Sequence, residues 1–269
     1  MKSIALFCVN YNTYAELHRF CQSVEQAAEQ ARHDARVVLF IADNTVVNPQ
    51  PIEFSSKVVE VHTLQTGTNL GYMGGVQYIM NDVCLAEFDF VMISNVDLQL
   101  HPDAFVQLAA FKDDGSTGWI APSIVSGLIG NDRNPSLLHR YTRRRLELLR
   151  LMFKVWPLMV LYKRFFHNHR IARRGFPSGL HIYAGHGSCM ILTRQYLRLC
   201  GKPNYPVFLF CEELYFAEQC RRANLNVVYY PAVRVDDAEH ASVGSLYRRD
   251  LFRYNREALS YILKTFYNN

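Results

Sequence analysis

A chain of 269 residues, 49% hydrophobic and 20% charged, can bury one sizeable core and is not a disordered polymer. Seven cysteines, an odd number with no C-x-x-C pair, argue against a disulfide framework and favour reduced core thiols in a cytoplasmic protein. The net charge of +5 is modest but unevenly placed: between positions 140 and 174 eleven Lys and Arg face one acid, Glu147.

Positions 3–9 read as a buried strand that enters directly from the amino terminus, so no signal peptide is expected. The polar turn Asn10-Tyr11-Asn12-Thr13 follows, then an amphipathic helix over 14–32. Strands over 36–41, ending at Asp43-Asn44, and over 57–62 continue an alternation that predicts a mostly parallel sheet. The segment Thr68-Asn69-Leu70-Gly71-Tyr72-Met73-Gly74-Gly75 opens the next helix. Glycines there would let the backbone approach a phosphate at a helix amino terminus, although neither a P-loop nor G-x-G-x-x-G is present. A flexible loop before a core helix remains the alternative.

The apolar run at 88–93 stops abruptly at Ser94-Asn95-Val96-Asp97. A buried strand ending in an amide and an acid places oxygen ligands at the carboxyl edge of a sheet, where open α/β sheets bind ligands. Asp97 is therefore a candidate metal ligand. A helix over 102–111 and a strand over 118–125 complete this half.

The composition then changes. The basic segment carries Arg143-Arg144-Arg145 among Leu146, Leu148, Leu149, Leu151, Phe153 and Trp156, broken by Arg150, Lys154 and Pro157. It is too interrupted to span a bilayer, and bulky aliphatics outweigh the interleaved aromatics of a nucleic-acid surface. An interfacial helix on anionic lipid is expected, with a basic helical pair packed on the domain as the alternative. A strand over 181–193 follows, then Glu212-Glu213 at the start of a helix reaching about 223. Acids there also favour the helix macrodipole, and adjacent helical residues point about 100° apart, so at most one should face a given cleft. A short strand over 226–230 closed by Pro231, a polar loop with His240, and an amphipathic helix over 245–266 finish the chain.

In this order, seven blocks resemble the family-2 glycosyltransferases of GT-A fold, in particular bacterial enzymes of O-antigen and capsule synthesis, rhamnosyltransferases among them. The blocks are Val9-Asn10-Tyr11-Asn12, Ala42-Asp43-Asn44-Thr45, Asn69-Leu70-Gly71-Tyr72 with Gly74-Gly75, Ser94-Asn95-Val96-Asp97, Gly187-Ser188-Cys189-Met190-Ile191-Leu192, Phe208-Leu209-Phe210-Cys211-Glu212-Glu213 and Glu239-His240. The resemblance implies one Rossmann-like α/β domain over 1–269. Its parts would be a nucleotide-sugar half at 1–125, the basic insert at 126–178, an acceptor half at 179–244 and a terminal helix at 245–269.

By that resemblance Asn10, Tyr11 and Asp43 hold the base and ribose of a UDP- or dTDP-sugar, and Asn69 and Gly71 line the donor pocket. Asn95 and Asp97 stand at the family's D-x-D element, with Asp97 and His240 on Mg²⁺ or Mn²⁺. Glu213 stands where the general base is an Asp. Asn95 removes one charged ligand, and Glu213 adds a methylene that shifts the acceptor side. The implied reaction is inverting transfer to a glycan, carried on polyprenyl diphosphate at the inner face of the cell membrane. Two alternatives stay open: a sugar-nucleotide pyrophosphorylase, and a membrane-bound module that binds nucleotide sugars without transfer.

Overall fold

The computed structural model describes residues 1–127, 130–154, 175–237 and 248–268, so His240 and the 155–174 part of the basic segment lie outside the described residues. The chain runs β1 (Lys2–Asn10), α1 (Tyr14–Gln30), β2 (Ala35–Asp43), β3 (Val59–Gln65), α2 (Tyr72–Met80), β4 (Phe90–Asn95), β5 (Leu98–Leu100), α3 (Ala104–Ala109), β6 (Thr117–Ser126) and α4 (Arg143–Met152). It continues through β7 (Leu180–Ile182), β8 (Cys189–Thr193), α5 (Arg194–Cys200), α6 (Glu212–Arg222), β9 (Asn226–Asp237) and α7 (Arg248–Phe266).

These strands form one sheet in the order β3-β2-β1-β4-β8-β6-β9-β5, with β7 beside β9. β1 pairs in parallel with both β2 and β4, so the strand order reverses at the centre of the sheet. A crevice outside the carboxyl ends of β1 and β4 is the ligand position that this topology prepares. The central strands are apolar almost throughout because both faces are covered. Phe7, Phe40, Val91 and Ile93 face one cluster with α2, α6 and α7; Leu6, Leu39, Ile41 and Met92 face the other with α1 and α3.

Beyond β4 the sheet is mixed: β8 runs antiparallel to both β4 and β6, whereas β6 and β9 are parallel. The strand expected over 181–193 is two strands separated by residues 183–188, because β7 pairs with β9 while β8 lies between β4 and β6. β9 does not stop at Pro231 but continues to Asp237. Its register against β6 shifts between the Pro122–Tyr230 and Ser123–Arg234 pairs, and such a bulge accommodates a residue without an N–H. All seven cysteines are free thiols, five of them buried.

One ionic knot joins the carboxyl-terminal helix to the part of the fold that carries the acid pair. Glu218 on α6 is fully buried and accepts from Arg140 (Nε to Oε1 2.6 Å), Tyr183 (2.7 Å) and Arg221 (2.8 Å). Arg140 also donates to the Phe266 carbonyl and lies 3.9 Å from the Tyr267 ring centre. Burial acts to raise the Glu218 carboxyl, but these hydrogen bonds and the Arg140 charge outweigh it and hold it below its ordinary range.

Candidate active site

The first three strand tips lie side by side. Parallel register sets Asn10 opposite Asp43 and Asp43 opposite Gln65. Asp43 is fully buried, and its carboxylate accepts from Asn10 Nδ2 (3.0 Å), Thr45 N (3.1 Å), Tyr14 OH (2.9 Å) and Gln65 Nε2 (3.2 Å). Asn10 is equally buried, and its Oδ1 accepts from the Thr13 amide and hydroxyl. These two residues form a closed clamp behind the strand ends. Tyr11, 47% exposed and followed by Asn12 in the left-handed region, is the member of the predicted base-binding trio that faces solvent. Tyr14, Thr45 and Gln65 complete the clamp; the sequence assigns none of them a role, and of the three only Gln65 follows from strand register.

The glycine-rich segment is fastened to the same tips. Asn44 Nδ2 donates to the Gly71 carbonyl (2.9 Å), and Asn69 Oδ1 accepts from the Gly71 amide (3.0 Å). Gly71 has φ +75°, and a Cβ there would lie 2.1 Å from the Phe208 carbonyl oxygen. The Tyr72 amide donates to that same oxygen at 3.2 Å. One of the amides a phosphate could use at the start of α2 is therefore already engaged. Gly71 serves a backbone-to-backbone contact between two distant segments, and Gly75 lets α2 lie against Val9.

The central tip stands next to this contact. The Asn95 amide donates to the Ser188 carbonyl (2.8 Å), and Asp97 sits half-buried in the turn between β4 and β5. Leu98, the next residue, pairs with Asp237 at the end of β9. Asp237 itself is held by Arg133 at 2.8 Å. The Tyr72 hydroxyl reaches the Gly187 carbonyl at 3.5 Å. Its phenol is pushed well above the ordinary tyrosine range, first by burial and then by the charges of Glu212, Cys189, Asp97 and Cys8. Tyr72 thus lies within electrostatic reach of both Asp97 and Glu212.

Just before α6, Phe210 (φ +74°) and Cys211 (φ +60°) are consecutive left-handed residues with full side chains. Such a conformation costs about 1–3 kcal/mol per residue and persists only where neighbours impose it. The hydroxyl of buried Tyr205 donates to the Phe210 carbonyl (2.6 Å), and Gln77 of α2 holds Tyr205 through both its amide and its carbonyl. The reversal starts α6 directly at the acid pair. Glu212 turns onto Gly187, where a Cβ would stand 2.8 Å from its Oε1. Burial, then the like charge of Glu213, pushes the Glu212 carboxyl up to about 8; burial also raises Glu213. Both are half-buried.

Among the described residues no three His, Cys, Asp or Glu side chains form a metal cage. A hard cation of the Mg²⁺ type needs none, since one or two carboxylates plus the oxygens of a bound phosphate suffice. Asp97 fits that mode. An open depression of about 680 Å³ between α1 and residues 55–58 contains none of these site residues.

No protein-family profile matches the sequence, and no curated protein matches it. Among solved structures, the chain is similar to GalNAc-T7 crystallised with UDP, GalNAc and Mn²⁺: TM-score 0.62 at 11% identity, covering 100% of this chain and 49% of that one. The fold is that of the GT-A glycosyltransferases. It is also similar to S. aureus TarS, with TM-scores of 0.52 for the 1–349 form and 0.53 for a second structure, each at 12% identity over 86% of this chain. The chain spans 60% and 37% of those two TarS chains, less than two thirds of any of the three.

The Gly71 contact yields a prediction about stability. Gly71→Ala should lose about 3 kcal/mol or more in urea unfolding, because a backbone carbonyl occupies the methyl position. Gly67→Ala, at φ +69° with open space around it, should lose only about 1 kcal/mol. Equal losses would mean that the contact with Phe208 does not hold α2.

Proposed function

We propose that this protein transfers a sugar from a nucleoside diphosphate sugar to a hydroxyl of a glycan acceptor, with inversion at the anomeric carbon. The observation that carries the reading is that Asp97, in the turn after β4, and Glu212, at the start of α6, both act electrostatically on Tyr72 at the start of α2. The GT-A fold supports it, as does the presence of UDP and Mn²⁺ in the GalNAc-T7 structure.

In this reading the nucleotide rests on Tyr11 and the strand tips that Asn10 and Asp43 hold rigid, and Asn69 and Gly71 shape the wall beside its phosphates. Asp97 is the residue that would hold Mg²⁺ or Mn²⁺, with Asn95 beside it and His240 as a further ligand. The cation, when bound, neutralises charge growing on the leaving diphosphate. Glu213 accepts the proton of the acceptor hydroxyl as that oxygen bonds to the anomeric carbon. The bond from that carbon to the diphosphate oxygen breaks, and its electron pair departs with the nucleoside diphosphate. Burial, which raises the Glu213 carboxyl, makes its ionised form a stronger base than an exposed carboxylate. UDP- and dTDP-sugars are the donors to test first.

The acceptor in this reading is a growing surface polysaccharide on a lipid carrier, reached from an anionic membrane face. Its support is α4. Leu146 and Met152 are buried, whereas Leu148 (54% exposed) and Leu151 (49%) lie on the outer face with Arg144. Arg143 is occupied with Glu147 and the Tyr267 carbonyl, and Arg145 stacks on Tyr141. Among the described residues no helix is long and apolar enough to cross a membrane. An exposed leucine face with an arginine beside it suits the headgroup layer.

Glu213→Gln should bind UDP as the wild type does and lose transfer by about 100-fold or more, the scale of general-base catalysis. Unchanged turnover would remove Glu213 from the mechanism, and a protein that binds UDP without transferring from any donor would be the non-catalytic module. Co-sedimentation with phosphatidylglycerol vesicles should fall in a Leu148→Ser, Leu151→Ser, Arg144→Ala variant. Equal sedimentation would assign α4 to another role.

A further inference from the structure

The loop between β7 and β8 meets the central strand tip through one carbonyl. Ser188 O accepts from the Asn95 amide at 2.8 Å, at the last residue of β4 and two positions before Asp97. Ser188 itself lies just outside β8, whose pairing with β4 ends at Ser94 and Cys189. The direction of its carbonyl therefore depends on how the loop is held.

His186 holds it from the side-chain side. Its Nδ1 lies 2.8 Å from the Ser188 hydroxyl and accepts from the Ser188 amide at 3.3 Å. An amide only donates, so Nδ1 is the unprotonated nitrogen and the hydroxyl is a second donor to it. The main chain of His186 is fixed from behind. Asn134, 1% exposed, accepts from the His186 amide at 2.8 Å and donates to the Pro122 carbonyl at 2.8 Å. The Asn134 amide donates to Asp132 (2.8 Å), whose carboxylate also accepts from the Ser123 and Tyr229 hydroxyls at 2.6 and 2.7 Å. The neighbouring positions have no room for a side chain: a Cβ at Gly185 would stand 2.7 Å from Ala121 Cβ, and one at Gly187 2.8 Å from Glu212 Oε1. Without an acceptor at Nδ1, the amide and hydroxyl of buried Ser188 would each be left short of a partner, at about 1–3 kcal/mol apiece. Rotation of the residue toward other partners relieves that cost and turns its carbonyl away from Asn95.

We propose that His186 is a positioning residue for the cation site: its Nδ1 gathers both donors of Ser188, aims the Ser188 carbonyl at the Asn95 amide, and so fixes the turn from which Asp97 would hold Mg²⁺ or Mn²⁺. This rests on the reading of Asp97 as the cation ligand, but the first part of it concerns the loop alone. The requirement is for an acceptor at the δ position. Asn keeps one in its Oδ1, Gln carries its polar atoms one bond farther out, and Ala has none.

Two measurements on the full chain test it. Amide hydrogen exchange reads Asn95 without any substrate: it should be about ten-fold faster in His186→Ala and His186→Gln, the equivalent of one lost hydrogen bond, and within about three-fold of wild type in His186→Asn. Ser188→Ala, which removes one of the two donors and little volume, should fall between them. Titration of UDP with and without Mn²⁺ reads the site. His186→Ala and His186→Gln should lose about ten-fold of the Mn²⁺-dependent gain while keeping the metal-free affinity, and His186→Asn should keep both. A purely structural role would instead lower the metal-free affinity and the Tm together with the gain. Wild-type protection of Asn95 in His186→Ala, recovery by Gln equal to that by Asn, or a full Mn²⁺ effect in His186→Ala overturns the proposal. Exchange that follows the acceptor in a protein whose wild-type UDP binding ignores Mn²⁺ would count against the cation reading of Asp97 instead.

Discussion

The Phe208 carbonyl occupies the place where Gly71 would carry a side chain. Everything at the site depends on that approach, because it presses the start of α2 onto the loop that leads into the acid pair. On one side of the contact Asn44 and Asn69 tie Gly71 to the strand tips of the first half. On the other, Gln77 of α2 holds Tyr205, and Tyr205 holds the left-handed Phe210 that turns the chain toward Glu212. Two segments more than a hundred residues apart in the chain are thereby locked together.

The same helix shows how local surroundings set the behaviour of one side-chain type. Glu218 and Glu212 lie on α6, six positions apart, the first fully buried and the second partly exposed. Glu218 meets Arg140, Arg221 and the Tyr183 hydroxyl and stays ionised as the centre of a structural knot. Glu212 is pushed toward its neutral form, first by desolvation and then by the charge of Glu213. The first arrangement ties α6 to the end of α7 and the start of the basic segment. The second leaves a titrating group at the start of the helix, and perturbed groups tend to be those that do chemistry.

Much of the fold was legible because buried strands announce their ends. Asn10, Asp43 and Asn95 are the last residues of β1, β2 and β4, where apolar runs give way to polar residues. The pairing of those tips could not be read, since it depends on register, and the burial of Asn10 and Asp43 follows from pairing. Pro231 misled the reading of β9, because a register shift makes room for it. The glycines at 71 and 75 allowed either a phosphate approach or a plain loop before a core helix; their close contacts with Phe208 and Val9 could not be read from the sequence. Which of Glu212 and Glu213 rests on Gly187 is settled by the backbone reversal at Phe210 and Cys211, two residues whose identities carry no signal of left-handed conformation.

The account stands on Asp97 facing the phosphates of a bound nucleotide. Titration of UDP with and without Mn²⁺, in the wild type and in Asp97→Asn, tests this most directly. Mn²⁺ should tighten UDP binding to the wild type by about ten-fold or more, and Asp97→Asn should lose most of that gain while keeping its metal-free affinity. An equal Mn²⁺ effect in both proteins would place Asp97 away from the phosphates and contradict the account.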